Sequence, residues 1–251
     1  MKLQMRKKGY GISMRKNQPK PEILYIDDSV IVCIKPQGMP VQNDKSRDLS
    51  VLNYLKNEIV KKEKMKTEPE VYVVHRLDRP VGGVMVFGRT KDAAASLTKQ
   101  MQDGTFDKYY QVVLTGFLPN EEGCLTDYLL KDGKTNCSKV VKEETKGAKK
   151  AVLEYEVLDI LETDQGDYTY ALIHLITGRH HQIRVQFANR NAGIWGDTKY
   201  NPKFQKVKRK YHQIGLYSTR ISFVHPVKGN KLVFKTEPEG EAFEILDAEE
   251  F

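Results

Sequence analysis

The chain has 251 residues and a formal net charge of +8, with 39% hydrophobic and 29% charged residues. That balance excludes wholesale disorder, and a chain of this length buries about three quarters of its extended surface, enough for a sizeable core. No run approaches the roughly 18 consecutive apolar residues of a spanning helix, and the basic N-terminus lacks the apolar stretch of a secretory signal.

Ile23-Leu24-Tyr25-Ile26 and Val30-Ile31-Val32-Cys33-Ile34 are β-rich runs separated by Asp27-Asp28-Ser29, the pattern of a hairpin. Lys35-Pro36-Gln37-Gly38 ends it. Asp48 or Ser50 can cap a helix whose Leu52, Leu55 and Ile59 share a face, with a charged, exposed end from Lys61 to Glu68. Val71 to Val74 leads into His75, and Gly83-Val84-Met85-Val86-Phe87 reads as the next strand. Thr90 caps a helix expected to run to about Asp103, with Gly104 as its stop. Strands follow near 109–115, 151–160, 169–176, 216–224 and 231–235. A further helix is expected over 181–192, where Ile183 and Phe187 lie one turn apart.

There is no internal repeat and no clear linker. The expectation is one α+β domain over 21–236 with an extended β-sheet, a basic tail at 1–20 and an acidic tail at 237–251. Cys33, Cys124 and Cys137 match no zinc spacing and cannot all pair, which makes the cytoplasm the natural location.

The charge is unevenly spread. Residues 1–20 hold seven bases and no acid, while 236–251 hold seven acids and no base. Residues 168–236 carry 13 Lys/Arg against the single acid Asp197, and residues 21–167 sum to −4. The 168–236 segment also holds Tyr168, Tyr170, Trp195, Tyr200, Tyr211 and Tyr217. Bases interleaved with aromatics suit phosphate contacts plus base stacking. The N-terminal run reads either as a solvated tail or as a source of further phosphate contacts.

Two stretches are placed to carry chemistry. In His75-Arg76-Leu77-Asp78-Arg79-Pro80-Val81-Gly82-Gly83, Asp78 sits at a strand-to-turn junction with basic neighbours, which favour its anion. A turn-capping role, with His75 and Arg76 as structural partners, is the plainer local reading. Thr177-Gly178-Arg179-His180-His181-Gln182-Ile183-Arg184 follows an apolar strand and opens the helix expected over 181–192. Its adjacent histidines invite a metal, but neighbouring helix positions do not share a side, and no third clustered ligand completes a set.

With these stretches the sequence resembles the RluA-type RNA pseudouridine synthases over about residues 22–236. Six ordered matches carry the resemblance. His75-Arg76-Leu77-Asp78 with Gly83 looks like the family signature, and Lys108-Tyr109-Tyr110-Gln111-Val112 is similar to its basic-x-Tyr segment. Ala148-Lys149-Lys150-Ala151 leads into a similar strand. Gly178-Arg179-His180-His181-Gln182-Ile183-Arg184-Val185 resembles Gly-Arg-x-His-Gln-Ile-Arg-Val. Gly196-Asp197-x-x-Tyr200 and His225-Pro226 follow in family order.

The resemblance implies an extended, mostly antiparallel sheet flanked by helices and loops, with a central active-site cleft. It implies isomerisation of uridine to pseudouridine in ribosomal or transfer RNA, without cofactor, metal or energy source, by a protein expected to be a monomer. By position, Asp78 is the catalytic carboxylate, Arg184 its partner, and Tyr110 the residue that stacks on the base and assists at C5. Arg76 intrudes where the uridine leaves the RNA stack, Arg179 contacts substrate, and Leu216 packs on the uracil. Covalent-adduct and glycal routes both remain open.

The chain also departs from the family. Many members carry Thr-Ser-Gly where this one has Val81-Gly82-Gly83. His180 replaces a common Thr or Ser, Gln186 a common His, and Tyr217 stands where many have His. The S4 RNA-binding domain of many relatives is expected to be missing. A non-catalytic RNA-binding protein on the same scaffold is the main alternative. A metal-dependent nuclease built on Asp78, Asp197 and the histidines is a third reading.

Overall fold

The computed structural model describes residues 19–44, 46, 48–163, 166–206 and 213–247, with side chains described to residue 245 at the C-terminal end. The basic tail expected at 1–20 therefore lies almost wholly outside the described residues.

Glu22–Ile26 (β1) and Val30–Lys35 (β2) form the expected antiparallel hairpin. Asp27 makes the turn, its Oδ1 accepting from the amides of Ser29 at 2.9 Å and Val30 at 3.0 Å. Val51–Glu63 (α1) is capped by Ser50, whose hydroxyl accepts from the Asn53 amide, so Ser50 rather than Asp48 is the cap. Tyr72–Val73 (β3) and Gly82–Gly88 (β4) flank the turn that carries Asp78. Lys91–Asp103 (α2) runs between the expected Thr90 cap and Gly104, which takes a left-handed φ of 74°.

Asp107–Thr115 (β5), Lys149–Thr163 (β8), Gly166–Leu175 (β9), Leu216–Val224 (β10) and Lys231–Lys235 (β11) answer to the five expected strands. Glu122–Asp132 (β6) and Cys137–Val141 (β7) were not foreseen. They form an outer hairpin on β8, and their short stretches of alternation around Lys131 to Lys134 give little signal on their own.

Gln182–Ala188 (α3) is shorter than the expected 181–192. Beyond it, the amides of Arg190 and Asn191 bond back only three residues, to Phe187 and Ala188, and Asn191 takes a φ of 58°. Asparagine tolerates that left-handed turn, and the helix tightens and stops. Pro202–Gln205 (α4) is a single turn.

The acidic C-terminal stretch is not simply a tail. Glu241–Asp247 (α5) places Ala242 and Phe243 against Val113, Trp195 and Tyr217. Two adjacent apolar residues among seven acids are enough to dock it.

The eleven strands make one sheet in the order β1-β2-β4-β10-β5-β9-β8-β6-β7, with β3 on β4 and β11 on β10. Every pairing is antiparallel except β4 with β10. β2 and β4 are buried on both faces, as their uninterrupted apolar runs require. Ile31, Cys33, Met85 and Phe87 pack with α1 and α3, while Val30, Val32, Val84 and Val86 pack with α2. No helix among the described residues is long and apolar enough to cross a membrane.

Candidate active site

The parallel β4–β10 contact, with β5 beside β10, is where the chemistry-bearing residues meet. The turn before β4 delivers Asp78, β5 delivers Tyr110, and the first residue of β10 is Leu216. The β9–α3 turn delivers Arg179 and α3 delivers Arg184. All of them, with Arg76, line a single cleft of about 900 Å³. Positions as far apart in the chain as 76 and 216 are thus brought together.

The turn around Asp78 is clamped from below. The Val81 amide donates to the Asp78 carbonyl at 3.0 Å, and the Gly38 amide to the Arg79 carbonyl at 2.8 Å. Arg79 Nε donates to the Gly38 carbonyl at 2.9 Å. Lys35 is fully buried at the end of β2, and its Nζ donates to the carbonyls of Pro36 at 3.0 Å and Arg79 at 3.1 Å. Burial drops this ammonium to about 7, against the pull of the Asp78 charge. Gly83 takes a φ of 115°, and a Cβ there would meet the Ser218 carbonyl oxygen at 2.1 Å, so only glycine lets β4 approach β10.

The Asp78 side chain does not cap its own turn. Its Oδ2 accepts from Arg184 Nη1 at 2.8 Å and lies 3.5 Å from His181 Nε2. The rest of the guanidinium fork goes to Asp197: Nε to Oδ2 at 2.7 Å and Nη2 to Oδ1 at 2.8 Å. Arg184 is therefore a cation between two carboxylates. Asp197 is fully buried, while the Asp78 side chain stays 29% exposed at the cleft. A bidentate partner fixes the plane of the guanidinium, and that plane fixes the carboxylate it presents. Burial raises the Asp78 pKa, but the neighbouring His181, the Arg184 charge and the Arg184 hydrogen bond outweigh it, and the net shift is downward.

His181 belongs to this arrangement in a way the sequence did not reveal. It sits just before α3 at a left-handed φ of 53°. Its Nδ1 is 2.7 Å from the Tyr200 hydroxyl, which itself accepts from the Ser138 amide at 2.8 Å. Facing a carboxylate, Nε2 is the nitrogen that carries the proton of the neutral ring, which leaves Nδ1 as the acceptor for the Tyr200 hydroxyl. Burial, opposed by the Asp78 charge, holds the His181 ring down to about 3. The Tyr200 ring also stacks under Arg184, with the guanidinium carbon 5.1 Å from its centroid.

His180 stacks on His181 at 3.7 Å. Its Nδ1 meets Ser138 Oγ at 2.9 Å and its Nε2 meets Asn136 Oδ1 at 3.2 Å. Both histidines are thus engaged by protein groups. With both Asp197 oxygens on Arg184, the nuclease reading loses the carboxylate it needed.

Tyr110 is buried, opposite Ser218 across the β5–β10 pairing. Burial and the Asp78 charge raise its phenol well above the usual value, against a hydrogen bond to Ser218. Leu216 is 4% exposed and pairs with Val112. Arg76 and Arg179 are exposed at the rim, and Arg179 is braced by Nε donating to the Lys150 carbonyl at 2.8 Å. The β9–α3 turn is tied by Gln182, whose Oε1 accepts from Thr177 Oγ1 at 2.8 Å and the Arg179 amide at 2.9 Å.

Among the described bases of 168–236, Arg179 and Arg184 line the cleft. His225 and Lys228 instead hold Asp27 at 2.8 and 2.9 Å, so His225-Pro226 serves a turn remote from the site. The cleft takes further charge from Arg76, Lys108 and Lys131 of the nominally acidic part of the chain.

A carboxylate held ionised beside an apolar floor and a basic rim suits a polyanionic substrate with an apolar group to seat. Residues 29–189 match the RNA pseudouridylate synthase family. The chain belongs to that family, in its RluA-type branch, whose members are isomerases that convert uridine to pseudouridine in RNA. It is 31% identical over 220 residues to a Haemophilus influenzae protein named tRNA pseudouridine synthase C, covering 82% of this chain and 88% of that one. It is 30% identical over 239 residues to ribosomal large subunit pseudouridine synthase D of Neisseria meningitidis, covering 91% of this chain but 62% of the relative. The solved structure of human RNA pseudouridylate synthase domain containing 4 shares the fold, with a TM-score of 0.71 at 23% identity over 90% of this chain and 92% of that one.

Proposed function

We propose that the cleft takes a uridine flipped out of ribosomal or transfer RNA in the cytoplasm, and that Asp78 is the group that acts at its sugar. The observation that carries this reading is the Asp78–Arg184–Asp197 bridge. Arg184 and His181 both engage Oδ2 of Asp78, and Oδ1 makes no hydrogen bond among the described residues. An ionised oxygen that is oriented but uncommitted can attack C1′, stabilise positive character there, or remove a C2′ proton.

The N1–C1′ bond breaks, the uracil turns, and C5 joins C1′. The C5 proton leaves and N1 gains one, so the reaction balances without oxidant, reductant or cofactor. Tyr110 supplies a ring for the base and Leu216 an apolar contact. Arg76 takes the place of the departing uridine, at an unstacking cost of a few kcal/mol. Arg179 holds the strand at the rim. The names of the relatives favour ribosomal or transfer RNA as the substrate.

Pseudouridines mapped across ribosomal and transfer RNA, in cells with the gene, without it, and with Asp78→Asn, test the reading. One or more sites should vanish in both mutant strains. Full modification with Asp78→Asn would remove Asp78 from the reaction.

A further inference from the structure

We propose that Lys108, Gly178 and Arg179 form a phosphodiester subsite, seated on the RNA backbone beside the target uridine. The proposal rests on the reading of the cleft as a uridine pocket. Lys108 lines the cleft and is 7% exposed. Its ammonium group makes no hydrogen bond and no ion pair among the described residues. The charge that bears on it most is a second cation, Arg179, which together with burial pushes Lys108 below the usual lysine value. His75, also close by, is kept neutral by burial and by the Lys108 charge, at about 3.

The contrast with Lys35 is informative. That buried lysine has two carbonyl acceptors, at 3.0 and 3.1 Å, and serves the backbone. Lys108 has no such structural employment. Holding an unpaired cation out of water costs stability, and an arriving anion offsets that cost. The surroundings keep the approach open. A Cβ on Gly178 would lie 3.6 Å from Lys108 Nζ, so a longer side chain there would cover the ammonium group. Arg179 is fixed through Nε on the Lys150 carbonyl, with its Nη groups in no hydrogen bond among the described residues.

Position selects the backbone rather than the base. Lys108 and Tyr110 are buried on the same face of β5, two residues apart, roughly 7 Å along the strand. With the uracil on Tyr110, the lysine reaches a flanking phosphate. Two converging cations also match a full negative charge better than a uracil carbonyl.

Melting and RNA binding together test the subsite. Lys108→Met preserves side-chain length and removes the charge. Without RNA it should melt higher than the wild type. Inorganic phosphate should raise the wild-type Tm and leave Lys108→Met unmoved. Binding of unmodified ribosomal and transfer RNA transcripts, followed across salt, should lose about 0.7–0.9 from the log–log slope in Lys108→Met and keep it in Lys108→Arg.

A lower Tm for Lys108→Met would make the lysine a structural group and overturn the proposal. An equal phosphate response in the variant would do so too. An unchanged slope with pseudouridine formation lost would move Lys108 to the base, again against the subsite. If the wild type makes no pseudouridine while the melting and slope results hold, the subsite stands and the proposed reaction falls.

Discussion

Tyr217 and Gly82 occupy each other's space. Cε2 of the tyrosine ring lies 2.4 Å from the point where a Cβ on residue 82 would stand, and the two are register partners in the sheet's parallel pair. The family resemblance read from the sequence implies Ser and His at these two positions. The departures are therefore coupled: the larger ring requires the bare backbone. Gly82→Ser should overpack the junction and cost about 1–3 kcal/mol in urea unfolding. Adding Tyr217→His should recover most of that loss. Strictly additive losses in the double variant would show that the positions are independent.

Arg184 is expected to separate stability from activity. Arg184→Met leaves the fully buried Asp197 without its guanidinium, a loss of about 3–5 kcal/mol by denaturant unfolding. Combining it with Asp197→Leu replaces the buried pair with apolar groups and should restore most of the stability. Pseudouridine formation should remain abolished, because Asp78 has lost its partner. Activity in the stable double variant would mean that Asp78 needs no positioning by Arg184.

The pH dependence of stability follows from two rings that the fold keeps neutral, the buried His181 and the half-buried His75. His181 and His75 both drop from 6.5 to about 3 in the folded chain. Between those values the unfolded chain binds protons that the folded chain refuses, so stability rises with pH there. It should be fully present above about 6.5 and fall as the pH approaches 3. His181→Asn keeps an acceptor for Tyr200 and should flatten the decline in Tm between pH 6 and pH 4, on the order of one histidine's share. An unchanged profile would place the acid sensitivity elsewhere.

Asp78 gives the complementary expectation for activity. Its carboxyl lies below the ordinary 3.8, so it is ionised throughout the range in which the protein is stable. The acid limb of kcat/KM should therefore follow unfolding, with no separate Asp78 step near neutrality. A limb centred near pH 6 in folded enzyme would point to another titrating group.

Tyr110→Phe keeps the ring and removes the hydroxyl. The phenol is raised by burial and by Asp78, so it stays neutral and can relay a proton but not act as a standing phenolate. A large fall in kcat with RNA affinity unchanged is expected from single-turnover assays. An unchanged kcat would reduce Tyr110 to a stacking surface.

The local chemistry of this chain was legible without a structure. Asp27 and Gly104 announce their turns, Thr90 its helix cap, and Val30–Ile34 and Gly83–Phe87 their strands, because each rests on neighbours in sequence; the choice of Ser50 over Asp48 as the α1 cap came from the structure. The ordered motifs singled out Asp78, Tyr110 and Arg184 for the same reason. What stayed hidden depends on distance in the chain. The β6–β7 hairpin takes its order from β8, and α5 from the core around Trp195, so neither has a strong pattern of its own. His181, Asp197 and Tyr200 were visible as letters, but their contacts with Asp78, with Arg184 and with each other exist only after β9, α3 and the following loop converge. Whether a buried lysine is satisfied, like Lys35, or left waiting for an anion, like Lys108, is a matter of which carbonyls lie nearby. Only the tertiary structure decides that.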